Sequence, residues 1–347
     1  SMLHLLHNEI HDVYGDAVVS TSGATVIQGN HIYDVIYNPD IRSCEGIQLR
    51  ETPPESPAYI LDNHVHHVDD DCIDINDSSA IVRRNRLHHC HDKGISLGTR
   101  NETPSPDYYP ATATIVNNLV YASDLGIAVK DHAFATILHN TLVSNSTGLA
   151  LYEAFDHYNW GGGRARAVNN IIWNNRERTI DLDLETDPPA ELDITYSAIE
   201  GGWEGEGNLD LDPLFQASET ANFHLHRDSP LINAGHDESV TLDLARQSRP
   251  YGPAPDIGAY ESHEGLWLSA RPGDRKIYLT WHFPPNTPLL ASFAISCTRR
   301  YAGSITIALP PLLITDVLST TRAFTMTGLS NYVWHRLTVE ALEEDDG

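Results

Sequence analysis

Residues Asn63-His-Val-His-His-Val-Asp-Asp-Asp-Cys-Ile-Asp-Ile-Asn76 and, 22 positions on, Asn85-Arg-Leu-His-His-Cys-His-Asp-Lys-Gly-Ile-Ser-Leu-Gly98 are two copies of one unit. Both open on Asn-x-apolar-x-x-apolar. The same pattern recurs at Asn8, Asn30, Asn118, Asn140 and Asn170, with successive spacings of 22, 33, 22, 33, 22 and 30. A period this short decides the architecture before any propensity argument. Each unit continues into alternating apolar residues: Ile47-Gln-Leu49, Ile73-Asp-Ile75, Ile95-Ser-Leu97, Ile127-Ala-Val129 and Leu149-Ala-Leu151. Period-two alternation belongs to strands. Stacking the units predicts an all-β fold, a right-handed parallel β-helix in which each turn adds a strand ~4.8 Å from the last. The asparagine column then forms an internal ladder of side-chain amides. A β-sandwich is the competing arrangement and requires all seven matches to be coincidence.

The longer spacings carry insertions after Val35, within Glu51 to Pro57, from Arg100 to Pro110, and between Glu153 and Arg164. Three of the four leave the end of the same strand. Loops that emerge repeatedly from one edge wall a cleft, and function concentrates there. No capping segment precedes Asn8, which suggests a truncated N-terminus; a residual cap or a dimer contact would also cover the unpaired edge.

The 347 residues carry 48 Asp+Glu against 22 Lys+Arg, a formal charge of −26. The general electrostatic footprint of a nucleic-acid or anionic-membrane binder is missing, so neither is expected as a partner. No apolar run approaches the ~18 residues of a membrane span. The N-terminus is not a charged-then-apolar leader, so if the protein is secreted its signal lies outside this sequence. Cys44, Cys72, Cys90 and Cys297 lack C-x-x-C spacing. Three of them sit in apolar strand patterns, where cysteine is usually a small buried hydrophobe, so they leave the redox compartment open.

The densest chemistry lies in Asp69-Asp-Asp-Cys-Ile-Asp-Ile-Asn76. With Ile73 and Ile75 inward, Asp74 and Asn76 point out beside the turn carrying Asp70 and Asp71. So many carboxylates cannot all stay ionised in one patch without a cation. A hard divalent ion held by oxygen answers this, and Ca2+ tolerates irregular geometry best. Glu45 stands at the register of Asp71 one turn below, and Asp92 at that of Asp70 one turn above, as further ligands. The bland alternative is a solvated acidic turn in an acidic protein. Of only three lysines, Lys93, Lys130 and Lys276, two fall on this face. Lys93 shares the register of Asp71, and Lys130 projects two turns above Asn76 with only Gly98 between, leaving an open trough.

The spacing Asp-Asp-x-x-Asp on a β-helix turn, with an acid one coil earlier, resembles the calcium site of family 9 pectate lyases. That resemblance implies Asp70, Asp71 and Asp74 as ligands, with Glu45 where an aspartate is usual, and a lysine that abstracts the C5 proton of a uronate. The lysine does not transfer by spacing, so Lys93 and Lys130 both stand as candidates. A cation on the uronate carboxylate stabilises the enolate-like anion left when the C5 proton is taken, and a neutral amine is the base; an alkaline optimum is expected. Arg50, in the outward column of Asn76 and Lys130, is a candidate to hold a second uronate bidentately. Its plain reading is a surface arginine paired with Glu51 or Asp77. Asn76, Ser96, His132 and Tyr152 complete the substrate-binding candidates, and Tyr108-Tyr109 in the inserted loop are placed to stack on a sugar.

His66 and His88 share one outward column, with His67 and His89 beside them. Stacked imidazoles could take a transition metal. The same column carries Tyr33, Tyr121 and Trp173, which favours a plain aromatic stack.

Asn208-Leu-Asp-Leu-Asp-Pro-Leu-Phe215, Asp228-Ser-Pro-Leu-Ile-Asn-Ala-Gly235 and Pro255-Asp-Ile-Gly-Ala-Tyr-Glu261 resemble the terminal segment of secreted bacterial β-helix proteins. The resemblance implies secretion and a role in closing the coil, with Asp210, Asp212, Asp256 and Glu261 structural. From Leu266 the pattern changes. Ile277-Tyr-Leu-Thr-Trp281 and the run from Leu329 to Ala341 resemble a fibronectin type III sandwich. Trp281 would be its core tryptophan, and His335 stands where the family's corner tyrosine is usual. The expected organisation is a β-helix over 1–263, with its closing segment at 208–263, and a fibronectin type III-like unit over 264–347.

The leading functional expectation is a calcium-dependent polysaccharide lyase acting by β-elimination on an acidic, uronate-containing glycan. A C5-epimerase would share fold, ion and proton abstraction. A polygalacturonase-like hydrolase could use Asp70-Asp71 as paired acids, but its Gly-His-Gly and Arg-x-Lys elements are absent. A non-catalytic carbohydrate-binding or adhesive β-helix is the remaining class.

Overall fold

The computed structural model describes residues 3–21, 23–40, 44–99, 110–154, 160–263, 267–282, 292–300, 306–308, 312–315, 323–327 and 334–342. Tyr108 and Tyr109 lie outside them. The chain divides into two compact units, Ser1–Ser262 and His263–Gly347.

The first unit is a coil of three parallel sheets with eight, eight and seven strands. Every turn but the last contributes one strand to each. The second sheet holds the strands that follow the repeat asparagines, such as His64–Val68 and Arg86–Cys90, and the third holds the alternating runs, such as Ile73–Asn76 and Lys93–Gly98. The first sheet, with strands such as Ser79–Arg83 and Thr112–Val116, was not resolved by the repeat reading. Its inward residues are small or branched, as at Ala80, Val82, Ala113 and Ile115. They complete a dry core in which Ile27, Leu49, Ile60, Ile73, Leu87, Ile95 and Leu97 are fully buried.

Burial on both faces removes solvent from the turn backbone, so each turn must satisfy its polar groups internally. The asparagine column does this. Asn30 accepts from the backbone N–H and side-chain amide of Asn8, Asn63 accepts both from Asn30, and the pattern repeats through Asn85, Asn118, Asn140 and Asn170 at 2.8–3.1 Å. Ser197 Oγ takes the next place, accepting from the Asn170 N–H, and the Ser197 N–H donates in turn to Asn208 Oδ1 at 3.0 Å. A second, shorter ladder joins Ser123, Asn145 and Asn175 at the corner between the second and third sheets.

Two readings need correction. Cys72 and Cys90 are joined by a disulfide across adjacent coils, so only Cys44 behaves as the expected buried thiol among the described residues. The segment expected to close the coil does more than close it. Leu209 pairs with Ala198 at the end, but the chain then turns back along the outer face of the second sheet. Phe223, Leu244 and Tyr260 pack on Leu119 and Val143, while Leu225, Leu231 and Ile257 pack on Ile171 and Ala198. Arg246 reaches as far as Asp62, 2.7 Å away across 184 residues of sequence. Asp256 and Glu261 are buried in this strap. Glu261 pairs with Arg249 at 2.8 Å, and Asp256 accepts the Asn233 and Ser262 backbone N–H groups, so both are structural. Asp210 and Asp212 accept the N–H groups of Gly201 and Leu214 in turns.

In the second unit Trp267–Gly273, Lys276–His282 and Ala323–Thr327 form an antiparallel sheet. Ser292–Arg300 pairs antiparallel with Thr306–Ala308, Leu312–Thr315 and Trp334–Leu342. Trp281 lies on the second of these strands and His335 on the last.

Candidate functional site

Strict in-register stacking of the third sheet converts sequence spacing into two adjacent outward columns. One runs Gln48, Asp74, Ser96, Ala128 and Ala150. The other takes Arg50 and Asn76, then Gly98, and above it Lys130 beside Tyr152. The Asp70-Asp71 turn enters this sheet from the second one, at the foot of Ile73–Asn76.

The carboxylates that converge are those of Asp70, Asp71 and Asp92, with one oxygen from each lying within 4.8 Å of the others. Asp74 and Glu45 are not members of this trio and are bridged by a neutral amide. Gln48 Nε2 donates to Glu45 Oε1 at 3.0 Å and to Asp74 Oδ2 at 3.1 Å. Asn76 Nδ2 also donates to Asp74 Oδ2.

Lys93 inserts into the trio. Its ammonium lies 3.3 Å from Asp71 Oδ1 and bonds Asp92 Oδ2. Burial works against the Lys93 charge, but the carboxylates of Asp71 and Asp92 outweigh it and raise its pKa. Burial, then the Asp74 charge, push Asp71 up to about 7 in spite of Lys93 and Lys130. Asp70 is raised by the same burial. Burial is the first cause of the raised acids, but three carboxylates face the one ammonium of Lys93, so the cluster holds more formal negative charge than positive.

Lys130 differs. It is half-buried at the open edge of the column. A Cβ placed on Gly98 would lie 2.9 Å from Lys130 Cε, 3.1 Å from Lys130 Cβ and 3.2 Å from Asp131 Oδ2, so the Lys130 side chain lies over Gly98 and fills the space expected to be an open trough. Tyr152, the strand partner of Lys130, is pushed up to about 12 by burial. His132, on the turn that follows, has its pKa lowered by burial and then by Arg164, and its Nδ1 is buried without a protein partner.

Four further buried polar atoms in these columns have no protein partner: Gln48 Oε1, Asp74 Oδ1, Ser96 Oγ and Arg50 Nε. Three of them stack in one column on successive coils. Arg50 pairs with neither Glu51 nor Asp77, the partners expected of it. Its Nη2 lies 3.6 Å from Asp16, while Asp77 accepts from Thr99 Oγ1 at 2.6 Å. Register arithmetic alone could have placed Gln48 beside Asp74; Asp16 lies beyond an insertion and carries no such signal.

A separate concavity of about 630 Å3 lies at the corner between the second and third sheets, lined by Asp34, His67, Asp69, His89, Asp124 and Arg176 among others. Neither Asp71 nor Lys130 lines it.

The Right handed beta helix region family matches residues 1–159. Together with the three parallel sheets, this identifies the first unit as a right-handed parallel β-helix. Among solved structures, the crystal structure of pectate lyase Pel9A is similar over 74% of this chain, at 12% identity and a TM-score of 0.46. The match spans 65% of that structure's own length. No curated protein matches the chain. Among the described residues, no helix is long and apolar enough to cross a membrane.

Proposed function

We propose that the chain is a calcium-dependent polysaccharide lyase, cleaving a uronate-containing glycan by β-elimination on the outward face of the third sheet. The observation that carries the reading is the stacked set of buried, unpartnered atoms of Gln48, Asp74, Ser96 and Arg50, beside a carboxylate cluster with negative charge to spare. Buried polar groups without partners are rare unless a ligand completes them.

The donor set fits a hard cation. Asp70, Asp71 and Asp92 supply converging oxygens, and Asp74 Oδ1 is an unused one. When bound there, Ca2+ would offset a uronate carboxylate and the negative charge that develops beside it. The chain's own residues divide the rest. Arg50 and Ser96 donate to the glycan, and Asn76 fixes the Asp74 carboxylate. Lys130 is preferred as the base at C5, because Lys93 is buried and pinned as an ammonium between Asp71 and Asp92. Secretion is part of the proposal, supported by the Cys72–Cys90 disulfide, a bond that persists in oxidising compartments. The second unit is read as a fibronectin type III-like spacer.

A non-catalytic binding β-helix is the second reading, and one observation favours it. Lys93 already supplies a cation to the cluster. A panel of uronate polymers, with Ca2+ and with chelator, separates the readings. A lyase yields an unsaturated, ultraviolet-absorbing product that chelator abolishes and Lys130→Ala removes, while an epimerase changes sugar composition without cleavage. If no polymer is altered in either condition, the enzymatic reading fails.

A further inference from the structure

Six histidines cover the outward face of the second sheet on the early coils. His31 and His64 are register partners, as are His66 and His88, and His67 and His89 follow at left-handed positions with φ of 53°. The rings stack as expected of an aromatic column. His31 lies on His64 at 4.9 Å and 2°, His66 on His88 at 4.7 Å and 4°, and Tyr33 and Tyr121 flank them.

Stacking accounts for the ring faces, and hydrogen bonds between imidazoles draw the ring nitrogens together. His31 Nε2 lies 2.9 Å from His66 Nε2, His64 Nε2 lies 2.8 Å from His88 Nε2, and His66 Nδ1 lies 2.6 Å from His67 Nδ1. Parallel rings on neighbouring strands stack equally well with their nitrogens directed to solvent. Here they converge. Two trios, His31/His64/His66 and His66/His67/His88, each bring three ring nitrogens within 4.8 Å of one another. The two are not equivalent, since all members of the first are half-buried whereas His67 is exposed.

We propose that His31, His64 and His66 form a site for a borderline-soft divalent transition metal, Zn2+ foremost, independent of the acidic cluster on the third sheet. Three neutral imidazoles suit Zn2+, Cu2+ or Ni2+ and are poor ligands for Ca2+. Three protein ligands leave a coordination position open to solvent. Imidazoles of ordinary basicity are mostly unprotonated at neutral pH, the form that binds metal. The patch also stays accessible. Phe223 of the strap packs on Tyr121 at 5.4 Å, Arg86 lies 5.7 Å from the Tyr260 ring and Arg246 reaches Asp62, yet His31, His64 and His66 each keep partial exposure.

The test is equilibrium dialysis of the metal-stripped full chain against Zn2+ in excess Ca2+, with Co2+ absorption or Cu2+ electron paramagnetic resonance as the ligand signature. The expected result is one Zn2+ per chain with nitrogen ligation. His66→Ala and His31→Ala should weaken it by more than the ~10- to 100-fold that loss of an outer partner costs. His66→Gln, which retains a polar planar group, should do the same, with circular dichroism confirming the coil. His67→Ala and Asp71→Asn should leave binding within a few-fold of wild type. Absence of nitrogen-ligated metal overturns the proposal. So does binding indifferent to His66→Ala, or binding lost with His67→Ala but not with His31→Ala.

Discussion

Asp71 Oδ1 accepts two hydrogen bonds from the same residue, the Lys93 backbone N–H at 3.0 Å and the Lys93 ammonium at 3.3 Å. The two residues stand at one register on successive coils, so the stacking of the helix itself brings the lysine to the acid. Lys93 is thereby a counter-ion built into the scaffold.

Removing that counter-ion leaves buried carboxylates unbalanced. Lys93→Met is expected to cost about 3 kcal/mol, the scale of breaking a buried pair from one side. Millimolar Ca2+ should restore part of the loss. Urea unfolding with and without the ion measures both, and a variant as stable as wild type in chelator would show that the pair carries no weight.

The substrate face is tested at Gly98. In Gly98→Ala the new methyl meets Lys130 Cε and Cβ and Asp131 Oδ2, so the Lys130 side chain must shift; stability should fall by about 1 kcal/mol while glycan turnover or binding falls at least tenfold. Unchanged turnover would place the glycan elsewhere.

Proton linkage gives a pH signature. Asp71 is held near 7 in the folded protein against an ordinary value near 4, so the folded state binds more protons between those limits and stability falls as pH rises through the window. The neutral histidines act oppositely. His64 and His66 are held near 4 and His88 near 3, so their contribution is lost as pH falls below about 6.5. The Asp71 term is therefore the difference between wild type and Asp71→Asn, which should narrow progressively as pH falls from about 7 to 4. A pH-independent difference would remove Asp71 from the titrating set.

The asparagine ladder predicts a gradient along the coil. Asn118 is fully buried, and its Oδ1 accepts two bonds while its amide donates onward to Asn140 and Val82. Asn118→Ala should destabilise by about 3 kcal/mol or more, since it strands several buried partners. Asn8, exposed at the first rung, should cost under about 1 kcal/mol. Denaturant midpoints across the seven positions would show whether the cost tracks burial.

Legibility followed periodicity. Seven asparagines in frame were enough for the coil and for the registers Glu45/Asp71, Asp70/Asp92 and Asp71/Lys93, because parallel stacking without slip makes sequence offsets into neighbours. The first sheet was not read, because strands such as Ala58–Leu61 alternate small and mixed residues that lack the Ile-x-Leu signature. Gln48 was missed because a neutral amide attracts no attention in a search for charge. It nevertheless bridges Glu45 and Asp74, which lie outside the trio. The choice between lysines was not readable at all, since it depends on burial, 8% exposure for Lys93 against a half-open Lys130. The disulfide was hidden by cysteines that sit where any small apolar residue would.

Stacked repeats ordinarily touch only their neighbours, so each new coil can settle as soon as it is made. The contact of Arg246 with Asp62 breaks that rule. An aspartate from an early coil, already paired with Arg84, waits for a partner synthesised 184 residues later. The last stretch of the coil unit thus acts as a latch, and the flank of the solenoid is fastened only after all its turns exist.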